Sequence, residues 1–142
     1  MLESEGMSPN EALAERLGRF DEVLFALLFG SHARGESRPD SDIDLAVFVS
    51  PALSPEERWK LRLRLHATLE DLGTLDVVVL NDAPALLAHR ALQGRPVLVR
   101  DRVAYTRFFV RTVARSEDER HYRQIHQAAR ERRLAEGRFG RP

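Results

Sequence analysis

The sequence predicts one α/β (α+β) domain: a mixed sheet of about four strands covered by helices, with a C-terminal helical extension. Three observations predict it. Three short runs of apolar, β-branched or aromatic residues, 22–29, 43–49 and 75–80, have the length and composition of buried strands. Ser8-Pro9-Asn10-Glu11 and Ser54-Pro55-Glu56-Glu57 repeat one helix-opening grammar: an N-cap serine, a proline at the first helical position, and a glutamate placed to reach back. And 142 residues, 43% of them hydrophobic, can bury one compact core but not two.

Taken in order, a helix is expected over about 9–19, then the first and second strands. The second helix starts at Pro55, with Trp59, Leu63, His66 and Leu69 or Leu72 near helical spacing and Gly73 as its stop. Asn81 or Asp82 can cap a helix through 84–93 that Gly94 ends, and 96–100 makes a short fourth strand. Asp101 then caps a last helix whose Val103, Tyr105, Phe108, Phe109, Val110 and Val113 are expected to lie on the body of the domain. After Arg115 the chain turns Arg-rich and poor in large apolar residues. The expected division is therefore a domain over 1–115 and a helical or frayed tail over 116–142, with Tyr122, Ile125 and Ala129 as a narrow stripe.

Composition narrows the chemistry. There are no cysteines, which excludes disulfides, thiolate nucleophiles and thiolate zinc sites together. The longest apolar run, 23–29, falls far short of the roughly 20 residues of a membrane-spanning helix. The acidic N-terminus lacks a signal-peptide pattern, so a soluble, cytoplasmic protein is expected. The 22 basic residues balance 22 acidic ones, and Lys60 is the only lysine among them. Such mixed, neutral charge gives no global signal for nucleic acid, and direct nucleic-acid binding is not expected.

Three short elements carry the candidate chemistry. Gly30-Ser31 follows the first strand, where the missing Cβ lets backbone N–H groups ring an anionic oxygen and the hydroxyl adds a donor; an ordinary turn is the alternative. Asp42 and Asp44 open the second strand. Residues two apart in a strand share a face, about 6 to 7 Å apart, so both carboxylates can reach shared hard cations, a solvated strand start being the alternative. Asp76 sits near the start of a strongly apolar strand, where a buried carboxylate is costly unless compensated. If its strand neighbours the second one, Asp76 joins the same acidic cluster; otherwise it lies at a strand edge in water.

Together, Gly30-Ser31, ten intervening residues, Asp42-x-Asp44 and the later Asp76 resemble the signature of the polymerase-β-type nucleotidyltransferases. The run from Phe29 to Leu45 is similar to the minimal nucleotidyltransferases (MNT proteins), the antitoxins encoded beside HEPN toxins, and the resemblance covers about residues 10 to 115. It implies a polymerase-β-like fold, with Asp42, Asp44 and Asp76 as catalytic and metal-binding residues around two Mg²⁺ ions. It implies that Gly30 and Ser31 hold the triphosphate of ATP. Arg34 is a candidate clamp on the triphosphate, with a solvent-facing arginine as the equal alternative. The activity implied is transfer of AMP from ATP to a tyrosine of a cognate HEPN ribonuclease toxin. Two other readings stay open: a small-molecule nucleotidyltransferase of the aminoglycoside-modifying type, whose relatives carry a large second domain to grip the acceptor, and an antitoxin that binds without chemistry. His32, at a variable position, receives no role, and His66 and His89 lack zinc-ligand spacing. Arg115 and His121 imitate the HEPN ribonuclease spacing but lie in too short a segment to form that bundle. The tail reads as a solvated face or a partner arm rather than an RNA site.

Overall fold

The computed structural model describes residues 7–30 and 42–135. Helix α1, Pro9–Leu17, precedes strands β1, Val23–Phe29, and β2, Ile43–Val49; helix α2, Pro55–Leu69, leads to β3, Leu75–Val79. Helix α3, Ala85–Leu92, strand β4, Arg95–Val99, and helix α4, Arg102–Ala135, complete the described chain. The strands form one mixed sheet in the order β3-β2-β1-β4, with β1 antiparallel to β2 and β4, and β2 parallel to β3. No helix is long and apolar enough to cross a membrane among the described residues.

The two strands at the centre are apolar apart from Asp44, because both of their faces are covered. On one face Ala26, Leu28, Leu45, Val47 and Val77 pack with Leu13 and Leu17 of α1 and Leu61, Leu65 and Leu69 of α2. On the other, Phe25, Leu27, Ala46 and Phe48 pack with Ala88 and Ala91 of α3 and Phe108 of α4. A bulge between Val23 and Phe25 shifts the register, so Val23 faces the first cluster together with Ala26, three residues on. Phe25 stacks across the strand pair on Phe48 at 5.1 Å and meets Tyr105 edge-on at 5.1 Å. Such contacts contribute about 0.5–1.5 kcal/mol per pair beyond area burial, and here they tie α4 to the sheet.

Local sequence rules explain most boundaries. Ser8 Oγ accepts from Glu11 N at 3.1 Å, and Ser54 and Glu57 form a complete capping box, at 3.1 and 2.8 Å. Asp101 Oδ1 accepts from Ala104 N at 3.0 Å and opens α4. Arg100 donates to the carbonyls of Val23, Gly18 and Phe20, closing the turn between α1 and β1. From within α2, Arg64 donates to Glu22 at 2.7 Å and holds that carboxyl below its usual range.

Four expectations need correction. The buried stripe of α2 is Leu61, Leu65 and Leu69, while Trp59 and Leu63 are exposed. Both sets recur at helical spacing, and only the position of the sheet decides between them. Neither Asn81 nor Asp82 caps α3, which has no side-chain cap. Asn81 instead accepts from Val49 N at 2.9 Å and donates to Val49 O at 2.8 Å, extending the β2 ladder with a side-chain amide, while Asp82 receives both Arg58 Nε and Nη2. On α4, Phe108 and Thr112 are buried against the domain, but Val103, Phe109, Val110 and Val113 are exposed. Finally, β3 is an edge strand in which only Val77 is fully buried.

Because Asn81 satisfies both polar groups of a part-buried backbone position, Asn81→Ala leaves a donor and an acceptor orphaned. The expected loss is about 1–3 kcal/mol in urea unfolding. Asn81→Asp should not restore it, since a carboxylate oxygen then faces the Val49 carbonyl.

Candidate active site

The site forms where β1 ends and β2 and β3 begin. Ile43 N donates to Thr74 O at 2.7 Å, which fixes the start of β2 against the start of β3. The parallel register that follows pairs Asp44 with Asp76 and Ala46 with Val78. Paired residues of neighbouring strands project to the same face, their backbones about 4.8 Å apart. On its other side Asp44 is paired with Phe29, the last residue of β1. Alternation places Asp44 and Asp76 on the face that α3 and α4 cover, but at its open end. The result is a cleft of about 360 Å³ lined by Phe29, Gly30, Asp44, Asp76, Val78, Leu87, Arg90, Gln93 and Gly94.

Two glycines make this geometry possible. Gly30 has φ +74°, the left-handed region, and a Cβ built there would collide with Asp44 Oδ2 and lie 3.2 Å from Asp44 Cγ. The Asp44 carboxylate therefore occupies space that any other residue would fill. At the end of α3, a Cβ on Gly94 would strike the carbonyl oxygen of Leu28 and come within 2.8 Å of Phe29 Cβ. The missing side chain lets the last turn of α3 rest on the end of β1, which brings Arg90 and Gln93 to the cleft.

The structure brings Gly30, Asp44 and Asp76 together. Asp42 stands one residue before β2, on the same side as Asp44 by alternation, and its side chain is exposed outside the cleft lining. Ser31, His32 and Arg34 lie outside the described residues. Asp76 is exposed rather than buried among the described residues, because β3 is the sheet edge. Its expected desolvation cost is thus largely absent, while its place beside Asp44 is kept. Among the described residues no three His, Cys, Asp or Glu side chains are grouped closely enough to hold a metal ion by themselves. Asp44 and Asp76 do supply two hard oxygen donors on one face, beside Gly30. Mg²⁺ commonly binds through one or two carboxylates together with substrate phosphates, and this donor set fits that pattern. Arg115 and His121 are both exposed on the single helix α4.

Sequence reasoning missed Leu87, Arg90 and Gln93. Arg90 is one of many arginines, and only the crossing of α3 over the end of β1 brings it to the acids. Gly94 was legible as a helix stop but not as a contact point.

Residues 11–103 match the family model for polymerase beta, nucleotidyltransferase, a span that runs from α1 to the start of α4 and encloses the whole cleft. The chain belongs to the polymerase-β nucleotidyltransferase family. A protein adenylyltransferase, MntA, of Shewanella oneidensis is 35% identical to this family member over 69 residues, 48% of each chain. The chain thus spans about half the length of the curated relative it matches. Among solved structures, a toxin–antitoxin crystallised with AMP-PNP superposes with a TM-score of 0.65 at 22% identity, over 87% of this chain and 98% of that one. A tri-AMPylated Shewanella oneidensis HEPN toxin in complex with MNT antitoxin gives a TM-score of 0.60 at 20% identity, over 84% and 97%. At these identities the likeness establishes a shared nucleotidyltransferase fold.

Gly30→Ala should cost about 1–3 kcal/mol in chemical denaturation, from the positive φ and from the collision with Asp44 together. In an Asp44→Ala background the collision disappears, and the cost of Gly30→Ala should fall to the backbone share, about 1 kcal/mol. Equal costs in both backgrounds would contradict the contact.

Proposed function

We propose that this chain is a Mg²⁺-dependent protein adenylyltransferase that acts as an antitoxin, transferring AMP from ATP to a tyrosine hydroxyl of a cognate HEPN ribonuclease toxin. The observation that carries the reading is the register of Asp44 with Asp76 in one cleft beside Gly30. Two carboxylates side by side repel, and a fold that keeps them together needs a reason that binding alone does not supply. The likeness to MntA and to the MNT antitoxin of a tri-AMPylated toxin supports the choice of a protein acceptor and of AMP as the transferred group.

In this reading Asp42, Asp44 and Asp76 hold the metal, two ions in all. When bound, the metal neutralises triphosphate charge and lowers the pKa of the attacking hydroxyl. Gly30 and Ser31 offer backbone and hydroxyl donors to the phosphates, and Arg34 is a candidate clamp on the same group. Asp76 orients the acceptor hydroxyl and takes its proton as the oxygen bonds to the α-phosphorus. The bond to the β-phosphate breaks in line and pyrophosphate departs. Asp76 is exposed on an edge strand, so a hydroxyl on the surface of another protein can reach it without threading a tunnel. That access favours a macromolecular acceptor, and the protein is expected to work in the cytoplasm, where ATP and a ribonuclease toxin meet.

The test is label transfer from α-³²P-ATP with Mg²⁺ to a HEPN toxin encoded beside this chain. Wild type should label the toxin on tyrosine. Asp44→Asn and Asp76→Asn, confirmed folded, should each lose roughly 10³-fold in rate, about 4 kcal/mol of barrier. Full labelling by either variant contradicts the assignment.

A further inference from the structure

The acids of the cleft face a cation that no motif announces. Arg90 lies in the last turn of α3 and lines the cleft with Gln93, opposite the strands that carry Asp44 and Asp76. Its side chain is exposed, and it makes no hydrogen bond or ion pair among the described residues. Neither acid is within the about 4 Å that defines an ion pair with it. A helix C-terminus is a favourable place for a cation, so Arg90 is stable there without a carboxylate partner. Among the described residues it is the one charged donor lining the cleft. The remaining lining, Phe29, Val78 and Leu87, is apolar, and Gly30 and Gly94 offer only backbone.

This distribution of charge divides the cleft. A nucleoside triphosphate that reacts at its α-phosphorus must put that phosphorus beside Asp44 and Asp76. The β- and γ-phosphates hold most of its negative charge, so beyond the metal and the Gly30 turn they also draw a cation within reach, and Arg90 lines the same cleft. A guanidinium presents a planar fork of N–H donors that matches phosphate oxygens, and one without a partner among the described residues gives up no bond to them when it binds phosphate. We infer that Arg90 is a pyrophosphate-binding residue, holding the β- and γ-phosphates of the bound nucleotide and then the pyrophosphate that leaves. The inference rests on the nucleotidyltransferase reading above and adds a residue to it. Gly94 is the structural precondition: its missing Cβ sets the last turn of α3 close enough to β1 for Arg90 to overlook the cleft.

The test measures equilibrium binding, not turnover. A non-hydrolysable ATP analogue, AMP and inorganic pyrophosphate are titrated with Mg²⁺ into wild type, Arg90→Gln and Arg90→Lys, each confirmed folded by its melting temperature. The exposed position makes these variants well tolerated. Arg90→Gln should weaken the ATP analogue and pyrophosphate by about 10-fold and AMP by less than 2-fold, and Arg90→Lys should recover part of the loss because it keeps the charge. Unchanged binding of the analogue by Arg90→Gln, or equal losses for the analogue and AMP, overturns the assignment of Arg90 alone. A folded wild type that binds none of the three overturns the nucleotidyltransferase reading with it.

Discussion

Two carboxylates are held side by side, and everything else at the site follows from that constraint. The pairing of Asp44 with Asp76 is written into the backbone, through the hydrogen bond from Ile43 N to Thr74 O and the parallel register that it starts. A register shift of one residue would turn every side chain of β3 to the opposite face and separate the pair. Register is protected here by burial, since Leu45, Val47 and Val77 must all reach the cluster under α1 and α2. The apolar core on one face thus aims the acids on the other. Two neighbouring carboxylates repel, the exposure of Asp76 to water softens that, and the proposed metal-bound nucleotide would relieve it.

Much of this was legible from residue order. Serine caps, the aspartate cap of α4 and the apolar runs each obey local rules, and the Gly-Ser, Asp-x-Asp and later Asp spacing resembled the family to which the chain belongs. What failed to show were choices made only by the assembled sheet. Helix α2 carries two apolar sets, and the sheet selected Leu61, Leu65 and Leu69 over Trp59 and Leu63. Asn81 is a good cap by type, yet an amide that satisfies both Val49 backbone groups gains more than one that satisfies a single helical N–H. Asp76 looked buried because its neighbours in sequence are apolar, but strand order put β3 at the edge. Arg90 was invisible because nothing in its surroundings along the chain ties it to the acids.

Close backbone approach is the second theme. Gly30 and Gly94 flank the same corner of the sheet: one leaves room for the Asp44 carboxylate, the other lets α3 touch β1. The cleft between them is small, polar on its strand side and cationic at one helix turn, a shape suited to phosphate chemistry more than to a bulky apolar ligand. Beyond it α4 runs on to Ala135 with Phe108 and Thr112 as its buried anchors near the domain. The chemistry is therefore concentrated where four short segments meet.

The central claim is that Asp44 and Asp76 form one receptor for metal-bound nucleotide. The most direct measurement is thermal unfolding of wild type and Asp76→Asn, each in a chelator and then with Mg²⁺ plus a non-hydrolysable ATP analogue. Wild type should gain several degrees from the combined ligands. Asp76→Asn should melt no lower than wild type in the chelator, because a repulsion is gone, and should lose most of the ligand-induced gain. The same gain in both proteins would contradict the account.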